Sequence, residues 1–536
     1  MPLPRQCFSR CAILTVAVCF IIVAITIFCS TYFTLAKKHA NDFDWTTIGS
    51  LRGDRLPDFS FCGYHSSAII LPTDSIPNIT VSFDRSSDDV RAIIQRAIDN
   101  ITSSGGGSVI LPPGRWPITA GIQLRSNVVV TGAGGDETTL VLKGRPSEPV
   151  FTLGSVGNDT SSNATKPRYG FRSNITNNYV PIGSSMVEVH NSTGFVVDQL
   201  VYISREATES WISHNGMGDL VRDGALQTWI PVRLFLLCLG DRKAANEKQE
   251  NKRILSPNQI SAISGTNVTL RIPLTDSLDS DYVQPELITY TPPEVNNEMG
   301  VQNLGIEVPE SCSGTPLTDE TCNQPAIYFP PWTVDSWANG LTLKGFNMFF
   351  KAAQNAARIT IQNSTMNRDR DIEGAALPFD ISIQGSQVLV QDCEQVGVPN
   401  ARCFSVATES LTAGPNAVLR HKTMSNEQTI YPHERWAQGL LVEQTSVPTL
   451  FVNRGIKGTG HGWSINAGVG WNLDGEVEAD SPPLGVNWCI GCGGKGNEPK
   501  GNATFICSKK RVKPASLFMT QLERRGVYRY TEEIGE

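Results

Sequence analysis

The stretch from Ser86 to Gly144 constrains the fold more than any other part of the chain. It begins with a predicted helix, which Ser86 is placed to cap and for which Asp89 completes a capping box. Apolar residues recur there at the spacing of one helical face, namely Val90, Ile93, Ile94, Ala97 and Ile98. After the glycines 105–107 come only short strand-like segments between turn residues. This order is typical of a solenoid whose open end is closed by a capping helix.

The same stretch resembles the N-terminal part of the pectin-lyase-like (pectate lyase) superfamily. The resemblance rests on an acidic pair, a glycine cluster, a Leu-Pro-Pro-Gly turn and a following coil, which are Asp88-Asp89, Gly105–Gly107, Leu111–Gly114 and Leu124–Gly134. Weaker similarity to one branch of the superfamily extends over residues 56 to 526. The resemblance implies an all-β fold, a single-stranded right-handed parallel β-helix. It implies no single activity, because the superfamily includes lyases, hydrolases, isomerising enzymes and adhesins.

The rest of the chain fits one solenoid body, which we predict to span residues 86–512. Beyond Val301, strand-like segments recur at irregular spacing, as expected for coils joined by loops of different length. Residues 37–85 are predicted to be an extended lead-in and residues 155–176 an exposed, glycosylated loop. Residues 513–536 are predicted to be a C-terminal helix and tail.

Residues 11–36 form an uncharged and mostly apolar run, long enough for the ~20 residues of a transmembrane helix. The alternative is a cleaved signal peptide, but the run exceeds the apolar core of such a peptide. We therefore expect a single-pass signal anchor, with residues 1–10 in the cytosol and the body luminal or extracellular. The density of N-glycosylation sequons supports this orientation; they begin at Asn78, Asn100, Asn158, Asn163, Asn174, Asn191, Asn267, Asn363 and Asn502.

Nine of the 13 cysteines lie beyond the apolar run, where an oxidising compartment favours disulfides. Cys489 and Cys492 could suggest zinc or redox chemistry. No second ligand pair accompanies them in the sequence, however, so structural disulfides are favoured and no metal site is predicted. The pairs close enough in sequence to staple loops are Cys312/Cys322 and Cys393/Cys403.

The segment 232–251 is anomalous, because an apolar stub runs directly into charged residues without strand alternation. It contains Cys238, and without it the ectodomain would hold an even number of cysteines. We interpret it either as a translated intron or as a surface excursion from the body.

Acidic residues are densest between residues 367 and 394. Asp369 and Asp371 alternate, so in a strand they would share a face and could act as an acid/base pair. Together with Glu394, a candidate for substrate binding, such acids could also bind Ca²⁺. The alternative is a solvated turn in which the interleaved Arg368 and Arg370 pair with the acids.

A second group of candidates lies in glycine- and tryptophan-rich turns between residues 431 and 463. Histidine and arginine there could serve as base, carboxylate clamp and orienting donors, while tryptophan stacks on sugar rings. The alternative is a structural network bonded to backbone carbonyls. The candidates are His433, Arg435 and His461 for catalysis and Arg454, Trp436 and Trp463 for substrate binding.

A lyase acting on uronates needs a basic group or cation for the carboxylate and a base for the C5 proton, whereas a hydrolase needs two carboxyl groups. We predict an enzyme that cleaves an extracellular, uronate-containing polysaccharide, with a lyase favoured over a glycoside hydrolase. The alternative is a non-catalytic glycan-binding or wall-structural β-helix, and a transferase or isomerase also stays open. The net charge of -7 and the lack of a basic stripe argue against nucleic acid. No cofactor beyond Ca²⁺ is considered, and a monomer is expected.

Overall fold

The computed structural model of the protein describes most of the chain beyond the apolar run. Over the described residues, no helix is both long and apolar enough to cross a membrane. Several predictions fall on residues outside the described ranges: the transmembrane run 11–36, the segment 232–251, the pair Cys312 and Cys322, and the sequons at Asn158 and Asn163. The described residues are 44–72, 77–155, 166–227, 229–230, 253–310, 314–315, 318–319, 323–372, 374, 376–424, 426–494 and 497–527.

The first coils carry the predicted capping helix. The α-helices are α1 Arg91–Ser103, α2 Glu209–His214, α3 Lys457–Gly460 and α4 Leu517–Arg524, and 3-10 turns lie at Trp45–Thr47, Phe59–Phe61 and Tyr64–Ser67. The first strands are β1 Asn78–Thr80, β2 Gly107–Ile110, β3 Gly114–Ile118, β4 Ile122–Leu124, β5 Val128–Thr131, β6 Thr138–Leu142 and β7 Phe151–Leu153.

Helix α1 buries the predicted apolar face, since Ile94, Ala97 and Ile98 pack in the main core. The predicted cap is wrong. The helix starts five residues after Ser86, whose backbone N–H is held in a turn by Asp84. Asp89 instead accepts the backbone N–H of Arg91, the first helical residue, at 2.9 Å.

The body is a parallel β-helix, which confirms the fold expected from the first coils. Its sheets run β1-β2-β5-β19-β22-β25-β28-β31-β34-β37-β39-β40 with β18 beside β22, β4-β7-β21-β24-β27-β30-β32-β35-β38, and β3-β6-β20-β23-β26-β29. Neighbours such as β22 and β25 pair in parallel, one coil apart.

Strands β18 to β40 build the coils that follow the insert described below. They are β18 Asn296–Asn297, β19 Gly300–Gln302, β20 Gly305–Glu307, β21 Ile327–Phe329, β22 Thr333–Asn339, β23 Thr342–Lys344, β24 Phe350–Ala352, β25 Ala357–Gln362, β26 Thr365–Arg368, β27 Phe379–Ile383, β28 Leu389–Gln391, β29 Glu394–Gly397, β30 Cys403–Thr408, β31 Asn416–Leu419, β32 Gln428–Ile430, β33 Ala437–Gln438, β34 Leu440–Glu443, β35 Thr449–Phe451, β36 Ile465–Asn466, β37 Val469–Trp471, β38 Val477–Ala479, β39 Trp488–Ile490 and β40 Thr504–Ile506.

An antiparallel insert interrupts the solenoid between β7 and β18. Its six-stranded sheet runs β10-β15-β14-β11-β17-β8 and has its own core. The predicted loop 155–176 is wrong in part, because β8 pairs with β17 within it. The strands are β8 Arg168–Asn174, β9 Tyr179–Val180, β10 Met186–Glu188, β11 Leu200–Glu206, β12 Val221–Arg222, β13 Ala225–Leu226, β14 Arg253–Ser264, β15 Asn267–Leu270, β16 Leu278–Asp279 and β17 Glu286–Thr291.

The lead-in and the C-terminal helix meet on one side of the solenoid. Gln521 of α4 accepts the backbone N–H of Phe59 and donates to the carbonyl of Pro57, each at 2.9 Å. Further along the lead-in, the N–H of Tyr64 donates to Thr360 on β25 at 2.9 Å. Helix α4 thus holds the lead-in against the largest parallel sheet.

Glu443 links the docking of α4 to pH. Its side chain is buried, and its Oε2 atom accepts the backbone N–H groups of Leu517 and Phe518 at 2.7 and 3.0 Å. Burial raises the pKa of this carboxyl from 4.5 to about 7. The folded chain therefore holds a proton that the unfolded chain has lost, so the contribution of Glu443 to stability falls as the pH rises through this interval.

We expect Glu443→Gln to remove that component of the pH dependence. The free energy of unfolding of the variant, measured by urea denaturation, should fall less than that of the unsubstituted protein between pH 4.5 and about 7. The exposed Glu476→Gln should keep the original slope. Parallel slopes for Glu443→Gln and the unsubstituted protein would contradict this assignment.

Candidate functional site

The structure brings together the histidines and arginine that the sequence singled out as catalytic. His433 and Arg435 follow β32, and His461 follows α3 in the next coil. The rings of His433 and His461 lie 4.7 Å apart and perpendicular. We call His433, Glu434, Arg435, Arg454 and His461 the histidine cluster.

The histidine cluster is held by contacts within the protein. Arg435 Nη1 lies 2.6 Å from Glu434 Oε2, and Arg435 Nη2 donates to Thr459 Oγ1 at 2.6 Å. Arg454 Nη1 donates to the carbonyl of His433 at 2.6 Å. Burial, followed by the nearby His433 and the two arginines, lowers the pKa of His461 to about 3. His461 is therefore neutral at physiological pH.

The ligand atoms of His433, Glu434 and His461 lie within 4.8 Å of one another, so these three groups could hold a metal ion. Two imidazoles and a carboxylate are donors that suit zinc and related cations. The guanidinium of Arg435 is already paired with the carboxylate of Glu434, and its positive charge opposes the binding of a cation there. The hydrogen bonds favour the structural interpretation of this cluster.

The prediction that Trp436 and Trp463 stack on sugar rings is wrong. Both side chains are buried, because α2 and the adjoining part of the insert cover them. Trp436 packs against Trp211 with ring centroids 4.6 Å apart. Trp463 donates its indole N–H to the carbonyl of Asn215 at 2.8 Å. Neither offers an open ring face to a ligand.

The acidic stretch is not a strand face. Strand β26 ends at Arg368, so Asp369 and Asp371 lie in the following turn. Asp371 binds Arg402 through two nitrogens, and this hydrogen bonding lowers the pKa of its carboxyl. Arg370 lies 3.9 Å from Asp369. This geometry supports the alternative of a turn with internal ion pairing.

The remaining acid of that stretch also has a structural partner. Glu394 Oε1 accepts the Thr365 hydroxyl at 3.3 Å. Within the described ranges, two other groups of side chains have the spacing of metal ligands, the histidine cluster and His65, Glu298 and Asp335. In the second group Arg358 binds both oxygens of Asp335, so its positive charge opposes a cation there as Arg435 does in the histidine cluster. The predicted calcium site at Asp369, Asp371 and Glu394 therefore gains no support.

The cysteine predictions divide. Cys393 and Cys403 are free and buried, so the predicted loop staple is wrong. The Cys403 thiol donates to Asp380 at 3.1 Å, and burial raises the pKa of Cys393 to about 12. A disulfide does join Cys489 to Cys492.

The seven sequon asparagines within the described residues are all exposed, and their glycosylation stays a prediction.

A cavity that was not predicted from the sequence lies between the insert and the solenoid. It has a volume of about 580 Å³ and is lined by β11, β14 and β17 on one side and by β22 and β25 on the other. The lead-in contributes His65 at one edge, and Arg525, just beyond α4, closes another. We call this cavity the cleft.

One wall of the cleft is aromatic. The rings of Tyr202 and Tyr290 stack with centroids 4.0 Å apart, and Trp332 lies 6.2 Å from Tyr290. The half-exposed Tyr169 continues the row, 6.2 Å from Tyr202. Burial raises the pKa of Tyr290 to about 12, so its hydroxyl stays neutral at physiological pH. Tyr202 and Trp332 are only 3% and 7% exposed, so the rings of this row that remain open for stacking on a sugar are the half-exposed Tyr169 and the partly buried Tyr290.

The cleft also contains two arginines without an acidic partner. Neither Arg271 nor Arg525 forms an ion pair with another described residue. Arg271 Nη1 donates to Gln259 Oε1 at 2.5 Å, and Arg525 Nη2 donates to the carbonyl of Ser60 at 2.6 Å. Burial lowers the pKa of Arg525, which Asp58 partly offsets and Arg271 reinforces. The charge of Arg271 is available to an anion, whereas that of Arg525 is partly offset by Asp58 and its Nη2 atom is bound to the carbonyls of Ser60 and Ser66.

A third part of the cleft holds a histidine between two carboxylates. His65 Nε2 lies 2.7 Å from Glu298 Oε1, and His65 Nδ1 lies 4.0 Å from Asp335 Oδ1. Asp335 is bound by Arg358 through two hydrogen bonds of 2.7 and 2.8 Å. The sequence analysis placed His65 only within the extended lead-in 37–85 and gave it no functional role.

No protein-family model matches the chain. In sequence it is 29% identical over 167 residues to mannuronan C5-epimerase AlgE6 of Azotobacter vinelandii, a match covering 26% of this chain and 19% of that protein. Among solved structures, the A. vinelandii AlgE6 A-module aligns at a TM-score of 0.30 with 10% identity, covering 79% of this chain and 93% of that one. The tailspike of E. coli bacteriophage HK620, in complex with pentasaccharide, aligns at 0.35 with 10% identity, covering 77% and 54%.

The first comparison spans about a fifth of the relative's length. The stacked parallel sheets of the chain itself define it as a β-helix protein.

Proposed function

We propose that this protein binds and processes an acidic polysaccharide in the cleft. The observation that carries the proposal is the pair Arg271 and Arg525, which form no contact ion pair with another described residue and line the same cavity as the ring of Tyr290. Guanidinium groups bind carboxylates through charge-assisted hydrogen bonds, and aromatic faces stack on sugar rings. A polymer carrying carboxylates on sugar rings, such as a polyuronate, presents both features.

The cleft is a better substrate site than the histidine cluster. Its volume of about 580 Å³ lies within the range of ordinary ligand pockets, whereas the side chains of Arg435 and His461 are only 9% and 10% exposed. The sequence similarity to a mannuronan C5-epimerase is consistent with a uronate polymer as ligand. Cleavage by a lyase is preferred over hydrolysis because the cleft supplies cationic groups for a carboxylate.

A non-catalytic glycan-binding protein is the second candidate, because the aromatic row and the two arginines are sufficient for binding. We further propose that residues 11–36 anchor the protein in a membrane and that the glycosylated body lies outside the cytosol. That topology rests on the apolar run and the sequons alone.

We expect Arg271→Gln to weaken binding of acidic oligosaccharides about tenfold, the scale of one charge-assisted hydrogen bond. Calorimetry with oligouronates and with neutral oligosaccharides of equal length measures the effect, and neutral ligands should bind weakly to both proteins. The matched control is Arg96→Gln, which removes an exposed charge on α1. Equal affinity of the unsubstituted protein for acidic and neutral ligands would refute the proposal.

A further inference from the structure

His65 is placed in the cleft with one ring nitrogen committed and the other open. Its Nε2 atom lies 2.7 Å from Glu298 Oε1, which is hydrogen-bond distance. Because a carboxylate only accepts hydrogen bonds, Nε2 carries the proton in this pair. In the neutral form of the ring, the lone pair is then on Nδ1. This is the arrangement by which a carboxylate orients a histidine that acts as a base.

The surroundings of Nδ1 leave that lone pair available. The nearest described acid, Asp335, lies 4.0 Å away, beyond hydrogen-bond distance. Both Asp335 oxygens already accept hydrogen bonds from Arg358, and Oδ1 also accepts the backbone N–H of His65 at 3.1 Å. Asp335 therefore forms no hydrogen bond with Nδ1 when the ring is neutral. Once Nδ1 gains a proton, the same carboxylate stabilises the resulting positive charge.

Glu298 is itself fixed in place. Its second oxygen accepts the Tyr64 hydroxyl at 2.5 Å, and burial raises the pKa of Tyr64, so this hydroxyl keeps its proton. The ring of Tyr64 packs edge-on against Trp337 at 5.1 Å. Tyr64 and His65 are adjacent in the lead-in, so one segment supplies both the histidine and the group that holds its partner.

The backbone at this point is strained. His65, Ser66 and Ser67 all have left-handed φ values, of 46°, 54° and 55°. Three such residues in a row, none of them glycine, cost free energy, and strain of this kind concentrates at functional sites. Arg525 donates to the carbonyls of Ser60 and Ser66 and so holds this turn from outside. The turn projects a side chain that is 34% exposed into the cleft.

We propose that His65 is the catalytic base of the cleft and that Glu298 is its positioning residue. The proposal rests on the binding function proposed above. Nδ1 of His65 removes the proton from the carbon that bears the carboxylate of a bound sugar acid. The electron pair of that C–H bond forms a C=C bond to the neighbouring ring carbon, whose bond to the glycosidic oxygen breaks. The departing oxygen keeps the electrons of that bond and takes the proton from the imidazolium, which returns His65 to its neutral form.

The test follows turnover and binding separately in the full-length protein. Oligouronates are the substrate, the absorbance of the unsaturated product reports elimination, and calorimetry reports affinity. We expect His65→Ala to lower kcat at least ~10²-fold, the scale of lost general-base catalysis, with Kd changed less than threefold. The control His214→Ala removes an exposed histidine of the insert and should leave kcat and Kd unchanged.

Glu298→Gln separates positioning from structure. An amide in place of the carboxylate can still hydrogen-bond the ring but no longer favours its protonated form, so the acid limb of the kcat/KM profile should move to lower pH. An unchanged profile, or turnover of His65→Ala equal to that of the unsubstituted protein, would overturn the assignment. Binding of oligouronates without any turnover by the unsubstituted protein would overturn it too, while leaving the binding function intact. Absence of binding would instead refute the proposed function.

Discussion

Replacement of Asp380 by alanine is expected to lower the free energy of unfolding by about 3–5 kcal/mol, the usual cost of breaking a buried ion pair on one side. Asp380 Oδ1 lies 2.5 Å from Arg368 Nη2, and these side chains are 0% and 3% exposed. Without the carboxylate, Arg368 leaves an uncompensated charge inside the solenoid. The Cys403 thiol also loses its acceptor.

The matched control for that substitution is Asp392→Ala. Asp392 pairs with Arg420 at 2.6 Å, but the two side chains are 37% and 24% exposed. Water screens this pair, so its loss should cost about 1 kcal/mol or less. Urea denaturation of both variants measures the difference. Equal losses would show that Arg368 is compensated by another group.

The second large effect is expected for Trp436→Ala. This side chain is fully buried, packs against Trp211 and Trp229, and donates its indole N–H to Asp276 at 3.2 Å. Truncation leaves a cavity, at a cost of about 3–5 kcal/mol. Asp276 loses the indole hydrogen bond but keeps the one from Asn466 at 2.8 Å.

The same variant distinguishes a core role from sugar stacking. Tyr169→Ala, at an exposed ring in the aromatic row, serves as the control and should change stability by roughly 0.5 kcal/mol or less. Thermal unfolding and oligouronate binding are measured on both variants. If Trp436→Ala kept its stability but lost affinity, Trp436 would be a ligand-stacking residue and the cluster around it an open site.

The local patterns of the sequence predicted the parallel β-helix because its elements are local. The apolar face of α1 and the short strands that follow it can be recognised from the sequence pattern of about sixty residues. The antiparallel insert was harder to predict. Its strands β8 and β17 lie more than a hundred residues apart in sequence, and β8 is embedded in a polar, sequon-rich stretch. Pairing over that distance leaves no short-range signal.

Site prediction was limited for a related reason. His433 and His461 stand out as rare residues in glycine-rich turns, and the structure does bring them together. The insert covers His461, because the indole N–H of its Trp229 donates to the carbonyl of His461 at 3.0 Å. The cleft joins residues from the lead-in, the insert, the solenoid and the C-terminus. No spacing rule connects His65 with Glu298, 233 positions away.

The contact between Gln521 and the lead-in also determines when the cleft can be completed during synthesis of the chain. A ribosome delivers the lead-in first and α4 last, and domains generally fold in the order of synthesis. His65 can rest on β25 before α4 emerges, but Phe59 and Pro57 gain their partner only when residue 521 has left the ribosome. The carbonyl of Ser66 likewise gains its hydrogen bond from Arg525 only after that residue has been synthesised. A nascent chain that still lacks residues 521–525 would thus carry the coils without a finished cleft.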